Sequence, residues 1–349
     1  MKEIYICHQY FDKSHFGAIY KCAKQNGYEV KDYIVLEKKH IINRMGKQIL
    51  YEHKYAVAIK EFVNSLVKIQ KFKKLKNKIV IVGLAPYDYL LNKYKNVFKN
   101  NHSIYFTSWQ FWNGSIFPRG NLKNRKNFEL ALKNSFIAAA CVSKISEQQI
   151  KNFIPKTAVV NHSIPVKEYR KKSTETIHKN KYLFLGRLAP VKNISFILEY
   201  MKENPSSNIQ VDFAGQGVQL PEVQSAVNTD SRIHYLGRLS KKEIKECLCE
   251  YKYLLLPSQE EPFGIVLLEA FAAGVPCIVS NALGPDEIID NLITGLKFDL
   301  KDGFKGFTAV MNHSQLLSED TYNIMVQNCL KESERYSEEI IFEKWKTIL

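Results

Sequence analysis

The sequence predicts an α/β protein of two consecutive doubly wound halves, and three observations carry that prediction. Short apolar runs of strand length alternate with amphipathic stretches of helical spacing, as in a parallel sheet covered by helices on both faces. The series breaks once, near Asn161-His162-Ser163-Ile164-Pro165 and the polar stretch 167–181, and then resumes. At 349 residues the chain is long enough for two such domains, each with its own core.

Taken in order, residues 4–7 read as a first strand, residues 14–26 as a helix stopped by Gly27, and residues 28–35 as a second strand, a βαβ opening. Helical spacing then runs from about Lys47 to Lys76, with Ile49, Val57, Phe62, Leu66 and Ile69 among its apolar positions. Residues 79–83, 103–106 and 137–142 read as buried strands. After the break, residues 182–186 open a second series, with further strands at 209–214, 233–236, 253–256 and 276–280. Residues 336–349 read as a last helix with Trp345 on one face. A ligand cleft between the two halves is the expected architecture.

Composition narrows the function classes. The chain opens on a strand-like run too short for a signal-peptide core and has no apolar stretch of about 18 residues, so a cytoplasmic location is expected. The seven cysteines are scattered and lack zinc-site spacing, and no metal is expected. Charge is uneven. Residues 1–166 hold 28 Lys+Arg against 10 Asp+Glu, or +18; residues 167–349 hold 22 against 25, or −3; together they give the net +15. A basic half suits an anionic surface. Residues 71–78, five lysines with Phe72 and Leu75 interleaved, could lie on an anionic leaflet, or could be a solvated helix end. Nucleic acid is not the expected partner, because no helix-turn-helix, zinc finger or aromatic RNA-binding signature accompanies the charge.

Three glycine turns and one dense segment carry the chemistry. Gly186-Arg187-Leu188-Ala189-Pro190-Val191-Lys192-Asn193 follows a strand; Arg187 can grip phosphate oxygens bidentately and Lys192 adds a point charge. Gly215-Gln216-Gly217 and Leu236-Gly237-Arg238 follow two more strands, where glycine permits close approach of backbone to a ligand. The first of these lacks the third glycine of a dinucleotide fingerprint, and no nicotinamide or flavin cofactor is expected. The dense segment is residues 257–270. Gly264 leaves room at a helix start, where the N–H groups of Ile265 and Val266 can hold an anion. Glu261 sits before that helix and Glu269 two turns into it. Each can accept hydrogen bonds from sugar hydroxyls, and an internal salt bridge is the competing reading for Glu269.

This text resembles glycosyltransferase family 4 of the GT-B fold, through Glu261-x7-Glu269, Pro257-Ser258, Glu261-Pro262-Phe263-Gly264, Ala273-Gly274-Val275-Pro276 and the ordered glycine turns. The likeness covers about residues 135–300 closely. It implies two Rossmann-like domains: an acceptor-binding domain at 1–165, joined by a C-terminal crossover helix at about 336–349, and a donor-binding domain at 166–335. It implies a retaining transfer of a hexose or N-acetylhexosamine from a nucleotide-diphosphate sugar, a UDP-sugar by preference, to a glycan. The acceptor would be lipid-linked, in bacterial surface polysaccharide or lipopolysaccharide synthesis, with the protein peripheral on the inner face of the cytoplasmic membrane. By the resemblance, Arg187 and Lys192 bind the diphosphate after Gly186, and Glu269 binds the ribose. Glu261 and the backbone of Phe263, Gly264, Ile265 and Val266 hold the sugar and β-phosphate, and Gly215, Gly217 and Arg238 complete the donor site. The first half departs from the family. Its first loop has one glycine, Gly17, and the place of a frequent histidine is taken by Thr107-Ser108-Trp109-Gln110, so that Trp109, Gln110 or His15 are candidates on the acceptor side.

Overall fold

The strand-forming runs assemble into two six-stranded sheets, every pairing parallel. The structure is a computed structural model that describes residues 1–8, 13–36, 38–50, 52–85, 88–108, 125–170 and 180–349. It divides into two compact units, residues 1–163 with 338–349, and residues 164–337.

The first sheet has the order β2-β1-β3-β4-β5-β6, with β1 Lys2–His8, β2 Tyr28–Val35, β3 Ile79–Gly83, β4 His102–Thr107, β5 Ala138–Cys141 and β6 Thr157–Val159. β3 and β5 are buried along their whole length, which is why they read as unbroken apolar runs rather than alternating ones. The stretch expected to be one helix from Lys47 to Lys76 is two, Lys38–Leu50 and Tyr55–Phe72. His53 takes a left-handed conformation (φ 51°) that no helix interior can hold, and Lys54 N–H bonds back to Gln48 O. The helix Glu338–Lys346 belongs to this unit. It buries Ile341, Phe342 and Trp345, stacks Trp345 on Phe106 at 5.9 Å, and pairs Glu338 with Lys21 at 2.7 Å.

The second sheet has the order β12-β11-β10-β7-β8-β9, with β7 Lys181–Leu185, β8 Gln210–Ala214, β9 Ile233–Gly237, β10 Tyr253–Leu256, β11 Cys277–Ser280 and β12 Gly295–Phe298. Counted from its first strand this is the 3-2-1-4-5-6 order of a dinucleotide-binding sheet, which reverses direction between β7 and β10. On one face Tyr182, Phe184, Val211, Phe213, Tyr253 and Leu255 pack with the helices Ile194–Glu203 and Gly303–Leu316. The helix Ile265–Ala272 is apolar along most of its length, with five of its eight residues buried, and the helix Glu319–Ser333 packs against it. Gly274 (φ 72°) ends that helix in a left-handed turn, with Val275 N–H bonded to Ala270 O at 2.8 Å.

β6 and β12, both edge strands of three and four residues, are the two that the apolar pattern does not announce. The stretch 167–181, expected to be a plain linker, contributes Tyr169 to the buried interior of the second unit.

Candidate functional site

The loops after β7 and β10 meet at the point where the second sheet reverses, the place in such a sheet where adjacent connections leave on opposite faces and open a crevice. A backbone bond from Gln259 N–H to Val191 O (2.8 Å) and a side-chain bond from Gln259 Nε2 to Asn193 Oδ1 (2.8 Å) hold the two loops together. Asn193 is suited to its position, because it sits at φ 49° and opens the helix Ile194–Glu203.

Lys192 and Glu261 face each other across this junction. Lys192 Nζ donates to Glu261 Oε2 at 2.5 Å, both side chains being partly buried. Glu261 Oε1 also accepts from Phe263 N–H at 3.5 Å, and Glu261 O accepts from Gly284 N–H at 3.0 Å. Gly264 follows with φ 93°, and a Cβ there would stand 3.0 Å from Leu267 Cδ1. Among the described residues no side chain caps the helix that begins at Ile265; Leu267 N–H bonds Gly264 O at 2.9 Å, which leaves the N–H groups of Ile265 and Val266 to an acceptor from outside. Phe263 itself turns inward, buried beside Tyr336 at 6.4 Å, and only its backbone is placed to meet a ligand. Arg187 stands exposed after β7 and makes no hydrogen bond or ion pair among the described residues.

Glu269 lies two turns along the helix. Its partner is neither a lysine nor an arginine but the Tyr169 hydroxyl, which donates to Oε1 at 2.6 Å. Burial pushes the Glu269 carboxyl above the usual range, while the Tyr169 bond and the charges of Lys241 and Lys245 pull it back. Tyr169 is pushed up in turn, by burial first and then by the Glu269 charge. Lys245 lies over the Tyr169 ring at 5.7 Å and pairs with Glu168, so the carboxylate sits in a weakly positive neighbourhood.

The turn Gly215-Gln216-Gly217 has a role that spacing does not reveal. A Cβ on Gly215 would fall 1.8 Å from Gly186 O, and one on Gly217 would fall 2.0 Å from Leu188 O. The close approach is to the neighbouring loop: Gly186 N–H bonds Ala214 O, Leu188 N–H bonds Gln216 O, and Gly215 N–H bonds Gly237 O. Three glycine turns are thereby laced into one rigid rim that carries Arg187, with Arg238 exposed after the edge strand β9. Gly284 is the site glycine that sequence reasoning missed. A Cβ there would stand 2.5 Å from Phe263 Cα, so its absence lets the helix Leu283–Ile288 abut the 261–263 loop. Gly284→Ala is expected to cost about 1–3 kcal/mol of stability by forcing backbone apart. Urea unfolding checks it, and wild-type stability would mean the loop yields freely.

On the first unit, His15 packs against His162 (4.7 Å between ring centroids), His8 (5.8 Å) and Phe106 (6.3 Å), at the carboxyl ends of β1 and β4. His8 and His162 were not singled out from sequence; the signal for His8 is its place as the last residue of β1, the strand end that faces ligands in such sheets. Gly17 adjoins Ser163 and Glu338, where a Cβ would come within 3.3 Å and 3.2 Å, so its smallness serves packing against the last helix. Trp109 and Gln110 lie outside the described residues. Among the described residues no group of three His, Cys, Asp or Glu side chains is placed to share a metal ion.

Residues 165–305 match the family described as glycosyl transferases group 1. The chain is 33% identical over 148 residues to a 2-deoxystreptamine N-acetyl-D-glucosaminyltransferase of Niallia circulans, covering 41% of this chain and 38% of that protein. It is 28% identical over 163 residues to the UDP-Gal:alpha-D-GlcNAc-diphosphoundecaprenol alpha-1,3-galactosyltransferase of Escherichia coli, covering 44% and 41%. The chain spans less than two thirds of the length of these curated relatives. Anabaena HepE, solved in complex with UDP, superposes with a TM-score of 0.73 over 99% of both chains at 14% identity, a likeness of fold. Residues 165–305 are thus similar to group 1 glycosyltransferases, in a chain whose fold is the GT-B fold of two Rossmann-like domains.

Proposed function

We propose that the chain is a retaining glycosyltransferase moving a hexose or N-acetylhexosamine from a UDP-sugar to a lipid-linked glycan acceptor in bacterial surface polysaccharide or lipopolysaccharide synthesis. It would work in the cytoplasm, at the inner face of the membrane. The observation that carries the reading is the Lys192–Glu261 pair set beside an uncapped helix start at the switch point of the second sheet. Breaking a sugar–diphosphate bond builds negative charge on the leaving oxygens. Arg187, Lys192 and the first-turn N–H groups of Ile265 and Val266 meet that charge as it forms. Glu261 accepts hydrogen bonds from the sugar hydroxyls, and Glu269 from the ribose. With two cations and a helix start on the phosphates, the reaction needs no metal cofactor, and transfer should survive chelation.

The lipid-linked acceptor is supported by the Escherichia coli relative, whose name places its acceptor on diphosphoundecaprenol. A soluble small-molecule acceptor is the second reading, favoured by the higher identity to the 2-deoxystreptamine transferase. A thermal-shift series over UDP-, GDP- and ADP-sugars tests the donor. A saturating UDP-sugar at about a hundredfold its Kd stabilises by ~2.7 kcal/mol. No shift with any nucleotide sugar would remove the reading. Transfer from the donor so found, to a polyprenyl-diphosphate sugar or to an aminocyclitol, separates the two acceptors.

A further inference from the structure

Phe72, expected on a leaflet-facing segment, is fully buried against Tyr94 and Phe98, so the run 71–78 offers a surface no apolar side chain but the half-buried Leu75. The exposed apolar surface lies one helix earlier. Along Tyr55–Phe72, Tyr55 (57% exposed), Ile59 (56%), Val63 (50%) and Val67 (45%) recur every four residues and form one solvent-facing stripe. Ala58, Ile69 and Phe72 of the same helix are buried, so its apolar residues extend from the buried side onto the exposed one. A helix that needed only to cover its sheet would carry polar residues along that stripe.

Charge around the stripe is one-sided. Residues 38–78 hold 12 Lys+Arg and 2 Asp+Glu, a net +10 in 41 residues. Both acids are already engaged, Glu52 with Lys54 and Glu61 with Arg44. Lys60, Lys71, Lys73, Lys74 and Lys76 make no ion pair among the described residues. Unneutralised lysines flanking an exposed apolar stripe match a surface that is anionic outside and hydrocarbon beneath, which is the interface of an acidic phospholipid leaflet. A nucleic acid would use the lysines and leave the stripe in water. The helix is not one that could cross a membrane, and the docking is in the plane of the interface.

We infer that the helix Tyr55–Phe72 docks on an anionic phospholipid surface, with Tyr55, Ile59, Val63 and Val67 sunk toward the acyl chains and Lys60, Lys71, Lys73, Lys74 and Lys76 on the headgroups. Docking of this kind would hold the first unit where lipid-borne acceptors lie, and it stands apart from the proposed activity. Flotation of the full chain with vesicles tests it without any transfer reaction. The chain is expected to float with phosphatidylcholine–phosphatidylglycerol vesicles and not with phosphatidylcholine alone. Ile59→Ser with Val63→Ser should lower the bound fraction at least about tenfold, with the melting temperature unchanged because both positions face solvent. Val63→Trp should raise the bound fraction, since an indole favours the interface. Equal flotation with neutral vesicles, wild-type binding by the double serine variant, or loss of binding in Val63→Trp would each overturn the assignment. So would a short DNA duplex displacing the chain from vesicles at matched phosphate.

Discussion

Glu261→Gln is expected to slow sugar transfer by about a hundredfold to a thousandfold, the usual loss when one preorganised group at a developing charge is removed. The substitution keeps size and hydrogen-bonding shape but strips the charge that holds Lys192 at 2.5 Å. Lys192 is then left partly buried without its anion and free to leave the position proposed for it on the diphosphate. The loss should appear in kcat more than in the donor KM, because the charge on the leaving oxygens is greater in the transition state than in the bound donor. Lys192→Met should cost a similar factor. The double variant should fall well short of the product of the two, since both changes break one pair. Steady-state kinetics with the UDP-sugar donor measures all three, and a Glu261→Gln protein retaining more than half the wild-type rate would take Glu261 out of the chemistry.

The second large effect runs in two directions at once. Burial raises the Glu269 carboxyl above its ordinary value of 4.5. The folded protein therefore holds that proton more tightly than the unfolded chain does. Stability contributed by the neutral form is complete below the ordinary value and is lost as pH rises toward the raised one. At neutral pH the ionised carboxylate is a net cost to the ligand-free fold, tolerated through Tyr169, Lys241 and Lys245. Glu269→Gln should thus melt higher than wild type at neutral pH, with the gain shrinking in acid. The same variant should bind UDP about tenfold or more weakly, because hydrogen bonds to a charged acceptor contribute about 1.5–3 kcal/mol. Calorimetric melting and UDP titration on one sample check both signs. A variant that melts lower and binds UDP normally would leave Glu269 as an internal structural acid.

The parts of the site that sequence shows are those where chemistry forces an unusual residue. Gly264 must be glycine at φ 93°, and a glutamate two turns into an otherwise apolar helix demands a reason. The alternation of apolar runs likewise shows both sheets, because strands buried on two faces leave continuous text. What stays hidden depends on partners distant along the chain. Tyr169 sits in a charged stretch that reads as linker, and only folding brings its hydroxyl to Glu269, 100 residues on. The Gly215 and Gly217 turn reads as room for a ligand, whereas the carbonyls it clears belong to Gly186 and Leu188. The lysines of 71–78 drew attention to charge, while the apolar stripe beside them needed burial to be recognised, since Phe72 and Val63 look alike in one dimension.

The helix Glu338–Lys346, with Trp345 seated on Phe106, belongs to a unit whose other residues end at Ser163. The second unit is therefore an insertion between two pieces of the first. On a ribosome the second unit emerges whole and can close its core at once. The first must wait, its Phe106 lacking the stacked Trp345, until the polypeptide that follows has been made. The domain written first is thus the last to be finished, and a ribosome stalled before Trp345 would present a complete second unit attached to an incomplete neighbour.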